Sequence, residues 1–348
     1  MTPSGVKRSR LIWSRLLIGL IVLISAEVFS GASLKIGLWH PWTLIVTFWL
    51  YFAHFFFFTT LAVWTGRTSF WSLYLWGLLF GLYESWITKV IWHGYSGDGK
   101  FVLGNLGPYG FSEISMVVIF HPIMSLILPL AVVCIVFPSL RRLFPDLAWF
   151  TGSSKWARIT RVYLMVNFGA IVAMNSGGPV NLALNVVFAL LVLMGLLRLS
   201  KPSFSMADAR SIVVFGRWAF CALCIYLALL YAVTYVLLRP DGLPSIRVQG
   251  LTLVFYALSI AGLWLHRSRE PAFVAPLRQI PELAVVLTLV AVVLGLGLLL
   301  SAFSGRSVLL FPVIAGFLIW TPLGLLLVFI AIVKGGLERR TATSGQSP

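Results

Sequence analysis

The chain has 348 residues, 59% of them hydrophobic and only 10% charged, and a formal net charge of +16. A soluble domain is about 25% charged, and no polar segment here is long enough to bury a core of its own, so a soluble domain is excluded. Apolar runs of roughly 20 residues recur without alternation, which excludes a membrane β-barrel and predicts membrane-spanning helices.

The expected fold class is therefore all-α: a polytopic transmembrane helix bundle of about ten helices with both termini cytoplasmic. Lys7, Arg8, Arg10 and Arg15 precede the first apolar run, residues 16–29. Ser30-Gly31-Ala32 resembles a signal-peptidase site, which makes a cleaved leader the competing reading. Glu27 inside the run suits a packed, uncleaved helix better. Further helices are predicted over 42–64, 69–92, 111–137, 162–174, 180–197, 211–238, 251–265, 283–303 and 308–333. The fifth and sixth form a tight hairpin through Asn175-Ser176-Gly177-Gly178-Pro179, where Gly and Pro supply turn chemistry. Pro312 and Pro322 predict kinks in the last helix.

Loop charge sets the predicted sidedness. Of the 26 Lys and Arg residues, all but Lys35, Lys89, Lys100, Arg239, Arg247 and Arg306 fall in inner loops and tails if the N-terminus is inside. The positive charge thus follows alternate loops rather than one face, so the predicted partner is the lipid bilayer and not nucleic acid. Trp42, Trp64, Trp71, Trp92 and Trp264 fall near helix ends, as an interfacial belt requires. No loop carries an Asn-x-Ser/Thr sequon, and a prokaryotic cytoplasmic membrane is the expected location. The sequence divides into a polar, aromatic half (1–137) carrying the candidate site and an apolar half (138–348). No echo of the Glu84 or His121 segments marks an internal repeat.

Ionisable residues inside apolar helices are costly and mark candidate sites. At about 1.5 Å rise per residue, His54, Glu84 and His121 all lie on the order of 13–17 Å below the outer surface. Glu27, Lys89, His93 and Glu113 form a shallower tier and are the candidate binding residues. Gly77, Gly81, Glu84 and Thr88 recur at three- and four-residue spacing, a small-and-polar stripe that should face another helix. Glu84 is accordingly expected to meet His121, and Lys89 to pair with Glu27 or Glu113. Glu84 and His121 are the candidate catalytic or proton-carrying pair. With His54 they could instead supply a metal-ligand set, since two imidazoles and a carboxylate are a common one. The structural alternative is that each merely binds a neighbouring helix.

Other motifs carry less. Gly94-x4-Gly99-Lys100 looks like part of a phosphate-binding loop, but Phe101 stands where Ser or Thr must hold the metal. Asp98-Gly99 reads as a tight turn, and the glycine-rich stretch 94–110 as a re-entrant or lid loop or, alternatively, a simple connector. Cys221-x-x-Cys224 and Cys134 lie inside apolar helices and read as packing residues. Asn181 and Asn185 read as contacts to a neighbouring helix. No motif implies a cofactor. Three functional classes remain: a transporter with an outward cavity around Glu84 and His121, a membrane-embedded enzyme acting on a lipid or lipid-linked substrate, and a non-catalytic accessory or scaffold subunit. No His-Glu-x-x-His or Gly-x-Ser-x-Gly motif supports an enzyme, and the transporter is the favoured reading.

Overall fold

The structure is a computed structural model. It describes residues 8–30, 38, 40–95, 100–101, 103–151, 154–200, 206–268, 291–300 and 306–343. The long elements are the helices α1 (Arg8–Leu23), α2 (Phe48–Trp64), α3 (Phe70–Thr88), the short α4 (Val90–His93) and α5 (Met116–Val136). After them come α6 (Lys155–Asn175), α7 (Pro179–Ser200), α8 (Met206–Val213), α9 (Arg217–Leu237), α10 (Ile246–Leu265), α11 (Ala291–Leu300) and α12 (Arg306–Thr343). The strands β1 (Asn105–Leu106) and β2 (Tyr109–Gly110) form one small antiparallel hairpin. Eight helices among the described residues are long and apolar enough to cross a bilayer. The all-α, multi-helix architecture agrees with the apolar runs. The ends of the predicted helix 283–303 and the expected turn at Asp98-Gly99 lie outside the described residues.

The chain forms two compact units. The first takes Met1–Phe56, Leu128–Gly216 and Pro271–Ile314; the second takes Phe57–Ile127, Arg217–Glu270 and Ala315–Pro348. In the first unit α1 packs chiefly on α7, with Leu17, Ile18, Val22 and Leu23 fully buried. The α6–α7 hairpin turns through Gly177 (φ +67°) and Gly178 (φ +122°), conformations that suit residues without a Cβ. Asn185 on α7 accepts the Leu38 N–H at 3.0 Å and donates to the Asn181 carbonyl at 2.9 Å. Helix α8 ends at Val213, three residues before α9 begins, where the sequence predicts one continuous helix. Arg15 receives the exposed carbonyls at that end: its guanidinium donates to Ser211 O (2.8 Å), Val214 O (3.2 Å) and Ile212 O (3.4 Å) and lies over the Phe215 ring. A cation at a helix C-terminus is favourable because the last carbonyls lack intrahelical partners.

The second unit is built on α3. Ser69 caps its N-terminus, its Oγ accepting the Ser72 N–H at 3.2 Å, a contact worth about 1 kcal/mol. Fourteen residues of α3 are buried, more than a single apolar stripe supplies, so it runs through the middle of its unit. Its partners are the first part of α5 (Met116–Ile127), α10 and α9. That part of α5 is π-helical and contains Pro122. A proline lacks the N–H that an α-helix would use, and the wider turn accommodates the gap.

Candidate functional site

Two glycines decide how closely α3 and α5 approach. A Cβ at Gly77 would fall 2.4 Å from the Pro122 Cα, and one at Gly81 would fall 2.9 Å from the Val117 Cα. The absence of side chains there lets backbone meet backbone, the same packing that small residues allow between membrane helices. The seam carries Glu84 one helical turn beyond Gly81 and places it beside His121. The carboxylate Oε2 of Glu84 lies 3.5 Å from His121 Nδ1, and the His121 side chain is buried. Ser125 Oγ lies 3.1 Å from the same nitrogen. Phe80 and Phe120 flank the imidazole, with ring centroids at 5.1 and 4.8 Å. A carboxylate beside an imidazole in an apolar wall can pass a proton between its members or hold a cationic group.

The other sequence candidates are distributed differently. Glu113 is buried, and its Oε2 accepts the Ser112 hydroxyl at 2.5 Å, while Oε1 has no hydrogen-bond partner among the described residues. Gly110 passes under it: a Cβ there would fall 2.3 Å from Glu113 Oε2. The β-hairpin above belongs to the glycine-rich stretch. Its base is closed by Phe111 N–H donating to Gly104 O at 2.9 Å, and its tip turns through Gly107 at φ +61°. Tyr109 of β2 shares Thr252 Oγ1 of α10 with Trp92 Nε1, at 2.9 and 3.3 Å.

Lys89 takes partners other than those expected. It ends α3 in the left-handed conformation (φ +58°), and its ammonium donates to Thr234 O at 3.0 Å and to Leu238 O, the last carbonyls of α9. Arg239, two residues past the end of α9, has the same conformation (φ +49°) and donates to Thr88 O (3.2 Å), the last carbonyl of α3, and to Gly94 O (2.8 Å). Each helix therefore lends a cation to the C-terminus of the other. Desolvation, and then the charge of Arg239, lower the Lys89 pKa, while Asp241 opposes the shift. Lys89 does not pair with Glu113, and Glu27 belongs to the other compact unit. The carbonyls win because they are already aligned at a helix end and carry partial negative charge. His93 pairs with Asp241 at 3.2 Å, at the rim of the same clasp.

His54 belongs to the first unit, buried, with Nδ1 at 2.8 Å from Leu50 O one turn back. Among the described residues no three His, Cys, Asp or Glu are grouped to hold a metal ion, so His54, Glu84 and His121 form no ligand set. The three cysteines are free thiols. Two features escape sequence reasoning. One is the reciprocal clasp, whose only local signal is Pro240 after Arg239, which ends the helix. The other is His266, which ends α10. Its Nε2 donates to Ala331 O at 2.9 Å, and its Nδ1 lies 3.3 Å from Glu338 Oε2 on α12.

Comparisons with known proteins agree with the architecture. An archaeal relative from Archaeoglobus fulgidus, described only as an uncharacterized protein, is 38% identical over 119 residues, which is 34% of this chain and 36% of the relative. The chain thus spans about a third of the length of that curated relative. No solved structure matches. Residues 16–340 match the model of a family described as an uncharacterized membrane protein family, and the helical architecture fits that description. This multi-pass helical membrane protein belongs to that family.

Proposed function

We propose that the protein is a permease of the cytoplasmic membrane that carries a solute with a proton, and that Glu84 and His121 are its proton-carrying pair. The observation that carries this reading is the 3.5 Å approach of Glu84 to His121 on the glycine-lined seam of α3 and α5. A titratable carboxylate and imidazole in contact within an apolar helix bundle are the parts a proton relay needs. The π-helical turn that holds His121 adds to the argument, because such turns are frequent at functional sites. Glu113, with one carboxylate oxygen lacking a hydrogen-bond partner among the described residues, belongs in this reading to an outer tier that meets the solute first. His93 and Glu27 are the further candidate binding residues in this reading.

Infrared difference spectroscopy on the protein in proteoliposomes tests the pair. Acidification should produce a protonated-carboxyl band that Glu84→Gln removes and His121→Gln shifts. Under an imposed pH gradient, the wild-type protein should acidify the vesicle lumen when a co-transported solute from an amine, amino-acid and sugar panel is supplied. Glu84→Gln should reduce that flux at least about a hundredfold, the usual scale for loss of a proton-transferring group. A Glu84→Gln protein that folds and transports like the wild type would exclude this pair as the relay.

A further inference from the structure

The first unit holds a cavity of about 230 Å³ that the proton site does not use. Its walls come from α1, α6, α7, the Leu128–Val136 part of α5, and α11. It is elongated. Lining residues run from Leu17 on α1 to Phe29 just beyond it, and on α6 from Arg161 to Val172, separations of about 18 and 17 Å along the chain of helical turns. The hydrocarbon of one bilayer leaflet is about 15 Å thick, half of a roughly 30 Å core. The cavity therefore has the length of a single lipid chain.

Its two ends differ. Toward Val172 the polar lining residues are Ser25 and Asn185, and the Asn185 amide is already engaged by Leu38 N–H and Asn181 O. The lining around them is apolar, with Val28, Phe29, Phe168 and Leu182, so that end suits hydrocarbon. At the other end Arg161 is the sole charged lining residue among the described residues. It donates to Phe150 O at 2.7 Å, which fixes its position on the first turns of α6. Lys155 and Arg158 stand on the same helix end. A planar guanidinium among further cations is the geometry that recognises phosphate.

We infer that this cavity is a binding site for one hydrocarbon chain of an anionic phospholipid, with the headgroup phosphate at Arg161. The lipid is a resident ligand of the first unit. It completes the packing between α1, α6 and α7, where an empty apolar cavity would forfeit contacts along its whole length.

The test is native mass spectrometry of the full chain extracted in mild detergent, with lipid extraction and identification. One anionic phospholipid per chain is the expected result. In nanodiscs of equal phosphatidylglycerol and phosphatidylcholine, the retained lipid should be phosphatidylglycerol. Arg161→Gln should keep a bound chain but lower that preference about tenfold, the scale of one charge-assisted hydrogen bond. Ala189→Phe, which fills the cavity from α7, should abolish retention while circular dichroism remains that of a folded helical protein. The inference is overturned by release of the wild-type protein without lipid, by a neutral lipid or quinone in its place, or by equal retention of the two phospholipids. The wild-type nanodisc measurement decides the matter even where Ala189→Phe does not fold.

Discussion

At the scale of single residues, position on a packed seam governs how a substitution is felt. Gly77 faces the backbone of Pro122, which cannot move aside as a flexible side chain would. Gly77→Leu should therefore destabilise the protein by at least about 1–3 kcal/mol, the usual cost of overpacking. It should also reduce any activity that depends on the Glu84–His121 contact. Gly195, which has open space around it, provides the control: Gly195→Leu should leave the thermal unfolding midpoint in detergent nearly unchanged. Equal midpoint losses for the two variants would remove the close-approach argument. The glycine stripe and the matched depths of Glu84 and His121 were legible in the sequence, because helical spacing alone sets both. The partner of Lys89 was not legible. An ammonium near carboxylates of similar depth suggests an ion pair, but nothing local shows that a helix end 145 residues away, at Thr234, presents its carbonyls to Lys89.

At the scale of elements, the helix ends were the least legible part of the sequence. Neither glycine nor proline stands at 89, so the run 69–92 reads as one helix, whereas α3 stops at Thr88. The break is held by tertiary contacts: Lys89 on α9 and Arg239 on α3. A left-handed non-glycine residue costs on the order of 1–3 kcal/mol, and the clasp supplies charge-assisted hydrogen bonds that offset it. Lys89→Met and Arg239→Met should each lower stability by about 1–3 kcal/mol, since each removes charge-assisted donors from buried helix-end carbonyls. The Lys89 shift also has a definite sign. Its folded-state pKa lies below its unfolded value of about 10.4. The unfolded chain then binds more protons between those two values, so the Lys89 contribution rises with pH across that window. It is least favourable below the folded-state pKa and fully relieved above the unfolded one. Wild-type stability followed from neutral pH toward pH 10 should show an increment that Lys89→Met lacks. A difference between the two proteins that stays flat with pH would contradict the burial of a charged ammonium at the clasp.

At the scale of the whole molecule, the apolar runs predict a multi-helix bundle, and loop charge predicts which way the helices run. Continuous runs cannot be buried except by lipid or by other helices, so fold class was the most legible property. α3 shows the limit of that argument. It holds Glu84, two serines and several aromatic residues, and it tolerates them because it is buried within its unit rather than facing lipid. Sidedness follows from a separate physical bias, the excess of Lys and Arg in loops that remain cytoplasmic. On that basis the β-hairpin with Asn105 is expected outside, and the basic stretch with Arg142 and Arg158 inside. The two native cysteines of α9 and the buried Cys134 are free thiols and are first replaced by serine or alanine. Asn105→Cys and Arg158→Cys then place single thiols at positions that are both exposed in the structure. In intact cells a membrane-impermeant maleimide should label the first and spare the second, and permeabilisation should make both reactive. The outcome also bears on the proton pair, because it decides from which face Glu113 and the tier around it are reached. The opposite pattern would invert the molecule and turn that tier toward the cytoplasm, which makes sidedness the first quantity to measure before any flux is assigned a direction.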